Sequence, residues 1–233
     1  MAAAAYFVFG LSGFGTGLVS IPVLTYIWPV RFVLPVIAVL DCAMSLLVTV
    51  RERRNAEYRE MLWFIPFLWI GLAAGVTLLV SLPPAATLGA LGAAVIVLGA
   101  WSLAASGPRR PVHRAWAIVA GLVAGVASGL FGVGGAPTVI YFSGRIPDKT
   151  RLRATLAAML LVSVSSRLAM FAVAGLLTQR EALTALALAP FAIGGVLLGS
   201  RVHLALPREQ FARVVAMLVI IAGISLVIRS AAF

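Results

Sequence analysis

The chain has 233 residues, of which 62% are hydrophobic and only 11% are charged, and its mean hydropathy is +1.10. A soluble domain of this length needs far more polar surface, so the composition excludes one and indicates an all-α membrane protein with several spans. The formal net charge of +11 does not indicate nucleic-acid binding, because the basic residues stand between long apolar runs, as the loop charges of membrane proteins do.

Eight apolar segments follow one another, each long enough to cross the hydrocarbon core as a helix. They are residues 3–28, 32–50, 61–81, 85–104, 115–142, 153–177, 182–200 and 210–229. The stretch "ASGPRRPVHR" at 105–114 has the proline, glycine and charge of a connector. We therefore predict a first repeat over 1–104, a linker over 105–114 and a second repeat over 115–233.

The first segment contains the stretch "SGFGTGLVSIP", residues 12–22, in which three glycines alternate with other residues at positions 13, 15 and 17. A similar stretch, "SGLFGVGGAP", occurs in the fifth segment at 128–137. A segment broken by glycines near its middle is predicted to form two short helices that meet at a tip, a re-entrant hairpin. Irregular backbone at membrane depth is tolerated only where it is buried in protein or lines a cavity.

The two halves of the chain are related by a repeat at a constant offset of 124 residues. Seven identities support it: Pro66, Phe67, Gly71, Gly75, Leu82, Pro83 and Gly99 recur as Pro190, Phe191, Gly195, Gly199, Leu206, Pro207 and Gly223. We interpret this pattern as a duplicated unit, with one broken segment and three helices in each copy.

The distribution of basic residues predicts that the repeats are inverted. If both broken segments return to the side they entered, the loops 51–59, 109–114, 145–153 and 201–213 share one side. Fourteen Lys and Arg then lie on that side and three on the other, which is the asymmetry of cytoplasmic loops. Both termini are then extracytoplasmic. Inverted repeats with paired broken helices are typical of secondary transporters with a site near the midplane.

The motifs "GLSGFGTGLVSIPVL" at 10–24 and "GLFGVGGAPTVIY" at 129–141, one near the start of each half, resemble the paired glycine-rich signatures of the sulfite exporter TauE/SafE family. The resemblance extends over the whole chain. It implies a transporter of the bacterial inner membrane for a small anion, such as sulfite, thiosulfate or an organosulfonate like sulfoacetate, and it leaves the individual anion open.

The hairpin tips are candidate anion sites, because half-helix N-termini present unpaired N–H groups and a partial positive charge. Glycines let an oxyanion approach the backbone, and hydroxyl groups add donors. The predicted substrate-binding residues are Ser12, Gly13, Gly15, Thr16, Gly17, Ser128, Gly132, Gly134 and Gly135. The alternative is that the tip glycines only allow close packing, the role we expect for Gly71, Gly75, Gly195 and Gly199 on intact helices.

Two ionisable residues, Asp41 and Arg167, fall within predicted spans, where charged side chains are costly and usually functional or paired. Arg167 could bind the anion and Asp41 could carry a coupled proton, or the two could form a structural ion pair. Ser163 and Ser166 could line the same cavity, although serines in such helices also bond to their own backbone.

Other functions find less support in the sequence. Neither histidine lies within a predicted span, so an intramembrane serine hydrolase lacks its base, and we expect no enzyme activity, no cofactor and no metal. A passive anion channel or facilitator, or a non-transporting membrane scaffold, remains the alternative. The expected partners are the small anion and the lipid bilayer, and the sequence leaves homo-oligomer formation open.

Overall fold

A computed structural model of the chain describes residues 21, 24, 25, 28–52, 55–104, 111–202, 223, 224, 226–228 and 230. Seven helices with defined bounds lie in this part: α1 (Val30–Glu52), α2 (Tyr58–Ser81), α3 (Pro84–Ala104), α4 (Trp116–Phe131), α5 (Gly135–Arg145), α6 (Lys149–Val173) and α7 (Gln179–Val202). None of the described residues is in a strand, so the predicted all-α fold is confirmed for them. By length and composition, α2 and α6 are candidates to cross a membrane among the described helices.

Five of the predicted segments correspond to single helices whose ends differ from the prediction by a few residues. The largest difference at a helix start is in α6, which begins at Lys149 and not at 153. The Asp148 carboxylate accepts a hydrogen bond from the Arg151 backbone N–H at 2.7 Å and so caps the helix. The same helix ends at Val173 and not at 177, and Gly175 follows with a φ of 71°.

The described chain divides into two units. The first comprises Met1–Ile37, Ser81–Gly107 and Gln179–Phe233. Within it, the Arg31 guanidinium donates to the Leu82 carbonyl at 2.9 Å, and the Arg180 guanidinium lies 5.4 Å from the centre of the Phe32 ring. A Cβ on Gly92 would lie 2.7 Å from the Gly223 carbonyl oxygen, so these two backbones are in close contact.

The second unit comprises Ala38–Val80 and Pro108–Thr178 and contains the α4–α5 pair. Helices α1 and α6 run antiparallel in it, because Asp41 contacts Arg167 whereas Thr49, further along α1, donates to the earlier Ala157 carbonyl. Each of these contacts joins residues more than a hundred positions apart in the chain.

Helices α2 and α4 run parallel and pack backbone to backbone through three glycines of α4. A Cβ on Gly125 would lie 2.6 Å from the Leu72 nitrogen, and one on Gly129 would lie 2.8 Å from the Leu72 oxygen. Gly121, one turn before Gly125, meets α2 in the same way at Phe64 and Phe67. On α2, Gly71 and Gly75 abut the α4 backbone at Leu122 and Val126, which is the packing role expected for them.

Helices α4 and α5 form a hairpin whose two ends lie together. The Val112 backbone N–H, just before α4, donates to the Gly144 carbonyl near the end of α5 at 3.1 Å. Phe64 on α2 packs on Tyr141 and Phe142 of α5, with ring centres 5.4 and 5.2 Å apart. The chain therefore enters the unit along α4 and returns along α5 to the end where it began.

That end of the second unit, which we call the polar end, includes the charged residues Glu57, Glu60, Arg114, Arg145 and Arg151. The Arg145 guanidinium donates to the Glu60 carboxylate at 2.9 Å, and Arg151 pairs with Glu57 at 2.7 Å. Glu57, Arg114, Arg145 and Arg151 come from three of the loops that the charge pattern assigns to one side of the membrane, and Glu60 adjoins the first of them. The side that these loops face stays a prediction.

Candidate functional site

The tip of the α4–α5 hairpin is formed by Gly132, Val133 and Gly134. Gly132 ends α4 in the left-handed conformation, with φ 71° and ψ 13°. Its N–H donates to the Ser128 carbonyl, and the Val133 N–H donates to the Ala127 carbonyl. These two bonds satisfy carbonyls at the end of α4, and the left-handed φ accounts for a glycine at this position.

Helix α5 begins directly after the tip without a side chain to cap it. Gly134 is the N-cap residue and, lacking a hydroxyl or carboxylate, makes no side-chain hydrogen bond to the first turn. A Cβ on Gly134 would lie 2.5 Å from the Ala124 carbonyl oxygen and 2.8 Å from Ser128 Cβ, so this glycine is required for the hairpin to close. Gly135 is the first residue of α5. The start of α5 thus presents backbone N–H groups and the positive end of a helix dipole.

One face of α6 meets the tip. The Ser128 hydroxyl lies 3.4 Å from the Ser163 hydroxyl, and Ser128 is 2% exposed. Ser163 and Arg167 are four residues apart on α6, so they share a face of the helix one turn apart. Ser128 lies in the last turn of α4, about 18 Å from the start of the helix at the usual rise per residue. The contact is therefore far from the polar end.

The other serines of α6 contact different helices. Ser166 accepts a hydrogen bond from the Trp69 indole N–H of α2 at 2.9 Å. The Ser165 hydroxyl lies 3.7 Å from the Cys42 sulfur of α1. Ser166 is therefore joined to α2, whereas Ser163 is the serine of this group that contacts the hairpin.

Arg167 and Asp41 form a buried ion pair, as one of the two alternatives for these residues expected. Arg167 Nη2 donates to Asp41 Oδ2 at 3.2 Å, and the two residues are 2% and 8% exposed. The Nε–H of Arg167 is also buried, and it has no acceptor in the described part of the chain. A buried guanidinium N–H without an acceptor is costly, and an anion would satisfy it.

The structure thus brings together five of the predicted site residues from the second half of the chain: Ser128, Gly132, Gly134, Ser163 and Arg167, with Asp41 as the partner of Arg167. Gly135 follows the tip, and Ser166 points to α2. The five residues predicted for the first tip, Ser12, Gly13, Gly15, Thr16 and Gly17, lie outside the described residues. Among the described residues, no group of three or more His, Cys, Asp or Glu side chains could hold a metal ion.

The polar end is a cluster of charged side chains that no motif in the sequence indicated. The hydrogen bond from Arg145 holds the pKa of the Glu60 carboxyl below its ordinary value, although burial opposes this shift. Glu60 precedes the predicted span 61–81, and it also accepts a hydrogen bond from the Tyr141 hydroxyl at 3.2 Å. The signal in the sequence was the placement of Glu57 and Glu60 among basic loops, where they are the available counter-charges.

Apolar helices throughout the described ranges, with a glycine-broken hairpin against a helix that carries a buried arginine, are features of a polytopic membrane transporter. The family described as Sulfite exporter TauE/SafE matches residues 1–226. The chain therefore belongs to the sulfite exporter TauE/SafE family, and it is a membrane transporter of the sulfur-anion class. Comparison with curated proteins and with solved structures gives no match.

Proposed function

We propose that the protein is a secondary transporter of an organosulfonate or sulfur oxyanion, and that the anion binds between the tip of the α4–α5 hairpin and Arg167. The observation that carries the proposal is the buried Arg167 Nε–H, which lacks an acceptor among the described residues. It lies one helix turn from Ser163, whose hydroxyl is 3.4 Å from that of Ser128 in the last turn of α4, just before the tip. A sulfonate supplies three acceptor oxygens and one negative charge, so it can bind a guanidinium, a hydroxyl and backbone N–H groups together.

The start of α5 supplies the second part of the proposed site. Its first turn is not capped by a side chain, so an oxyanion there would accept from backbone donors, as anions do at many helix N-termini. In a low-dielectric region these contacts are stronger than in water, because the anion is not screened by solvent. This arrangement needs neither a metal nor a cofactor.

Asp41 gives the proposal a route to proton coupling. An anion on Arg167 competes with the Asp41 carboxylate for the guanidinium, and a proton can then take the place of the guanidinium as the partner of Asp41. Release of the anion restores the ion pair and returns the proton. The Asp41→Asn variant should therefore bind the anion but lose the dependence of its transport on a pH gradient.

Counterflow in proteoliposomes tests the proposal. Vesicles loaded with unlabelled sulfoacetate, thiosulfate or sulfite should take up the same radiolabelled anion transiently above equilibrium, because a carrier with alternating access exchanges substrates. A passive channel gives equilibration without this overshoot, and a scaffold gives no uptake.

The Arg167→Gln variant should lower uptake about tenfold or more, the effect of removing one hydrogen bond to a charged group. Arg151→Gln is the matched control, since it removes the same charge from the exposed start of α6. Normal uptake by a folded Arg167→Gln variant would contradict the proposed site.

A further inference from the structure

The polar end contains an arginine, Arg114, that belongs to neither the Arg145–Glu60 nor the Arg151–Glu57 ion pair. Arg114 immediately precedes α4, and its guanidinium lies 4.4 Å from the centre of the Trp63 ring on α2. Its Nε and Nη2 atoms are buried and have no acceptor within the described residues. Stacking on an aromatic face satisfies part of the charge but leaves these N–H groups without a hydrogen bond.

The Glu60 carboxylate, which is close enough to Arg114 for the two charges to interact, is already engaged. Glu60 accepts from Arg145 Nη2 at 2.9 Å, from Arg145 Nε at 3.3 Å and from the Tyr141 hydroxyl at 3.2 Å. Glu57, the residue immediately before α2, forms an ion pair with Arg151. The ion pairs of the polar end thus leave the Nε and Nη2 donors of Arg114 without acceptor oxygens among the described residues.

An apolar groove adjoins this guanidinium. It has a volume of about 120 Å³ and is lined by Trp63, Phe67, Arg114, Ala115, Ala117 and Ile118. Trp63 and Trp116 are 53% and 58% exposed, and exposed tryptophans at helix starts are typical of the membrane interface. The groove therefore joins a charged site to a surface of the kind that lipid chains cover.

We propose that Arg114 and this groove bind an acidic phospholipid, with the phosphate accepting from the guanidinium and the adjoining glycerol and acyl carbons lying against Trp63, Phe67 and Ile118. Basic pockets between transmembrane helices recognise acidic headgroups by this combination of charge and apolar surface. The lipid would join the start of α2 to the start of α4, at the base of the hairpin. The proposal is independent of which anion the protein transports.

Native mass spectrometry of the intact protein in detergent tests the proposal, with phosphatidylglycerol and phosphatidylcholine of the same acyl chains as probes. The wild-type protein should retain phosphatidylglycerol about tenfold more tightly than phosphatidylcholine. The Arg114→Gln variant should lose that preference, because a hydrogen-bonded charge contact is removed. Arg151→Gln is the control, since it removes one charge from the same polar end without touching the groove, and it should keep the preference.

Three outcomes would overturn the proposal. If the wild-type protein retains the two lipids equally, it does not recognise the acidic headgroup. The measurement on the wild-type protein alone is then sufficient. Equal loss in Arg114→Gln and Arg151→Gln would assign the preference to net charge alone. Displacement of the lipid by millimolar inorganic phosphate would show a site for the free anion and not for a phospholipid.

Discussion

Two individual residues, Asp41 and Arg167, combine a structural contact with the proposed binding of the anion. Each side chain is nearly inaccessible, so water does little to stabilise either charge, and the contact between the two side chains replaces part of that hydration. The ion pair also fixes the position of the guanidinium, and its Nε–H has no hydrogen-bond acceptor among the described residues. Structural pairing and anion binding are therefore compatible roles for Arg167, because they use different N–H groups of one guanidinium.

Breaking this pair one residue at a time should destabilise the protein more than removing it whole. Arg167→Gln leaves the Asp41 carboxylate buried without its guanidinium, which costs about 3 to 5 kcal/mol. The double variant Asp41→Asn with Arg167→Gln leaves two neutral amides and should recover most of that loss. Denaturant unfolding in mixed micelles measures the free energies of unfolding.

The exposed pair Glu57–Arg151 provides the control cycle, with an expected coupling below about 1 kcal/mol because solvent screens it. If Arg167→Gln costs no more than Arg151→Gln, the buried pair is not a structural element of the fold.

The sequence could predict which residues of this site are chemically unusual, but not their contacts. Asp41 and Arg167 are recognisable because charged residues are rare inside apolar segments. Their pairing depends on the antiparallel packing of α1 and α6 across 126 positions of the chain, which no local pattern encodes. Arg114 belongs to the basic loop 109–114 of the charge pattern, and only the packing of the helices shows that its guanidinium lies on the Trp63 ring.

At the scale of helices, glycine determines how closely α2 and α4 approach. The α4 glycines at 121, 125 and 129 recur every four residues, so they form a stripe along one face. The glycine spacing indicated close packing, but it did not indicate that a helix of the first half would pack on the hairpin of the second. The break at 132–134 was easier to predict, since the clustered glycines disfavour a continuous helix.

A side chain at the centre of this stripe should separate the two helices. Gly125→Val places carbon atoms where the α2 backbone lies, and it should destabilise the protein by about 1 to 3 kcal/mol through overpacking. Val123→Ala on the same helix is the control, because Val123 is 51% exposed and faces away from the core. The apparent melting temperatures of the two variants in detergent give the comparison. A wild-type melting temperature for Gly125→Val would show that α2 and α4 are not in backbone contact.

At the scale of the whole molecule, the direction of each helix fixes which loops share a side of the membrane. In the second unit α2, α4 and α6 all begin at the polar end, and α5 returns to it. The basic loops that the sequence places in the cytoplasm contribute to that end. The relation between the two repeats stays a prediction, because the first broken segment lies outside the described residues.

Cysteine labelling tests this sidedness. Cys42 is replaced by Ala, and single cysteines are introduced as Thr150→Cys at the start of α6 and Ala174→Cys after its end, both at exposed positions. A membrane-impermeant maleimide should label position 174 from outside intact spheroplasts, whereas position 150 should be labelled only after lysis. Labelling of both positions from outside would contradict a crossing α6, and the reverse pattern would contradict a cytoplasmic polar end.

Thermal unfolding of the purified protein with added anions shows whether a sulfur oxyanion binds the folded protein through Arg167. Sulfite, thiosulfate or sulfoacetate should raise the melting temperature of the wild-type protein, because a ligand at a hundred times its Kd adds about 2.7 kcal/mol to stability. Acetate and chloride should not raise it, and the Asp41→Asn, Arg167→Gln double variant should respond to none of these anions. If no sulfur anion shifts the wild-type transition, or if the double variant responds like the wild type, anion binding through Arg167 is contradicted.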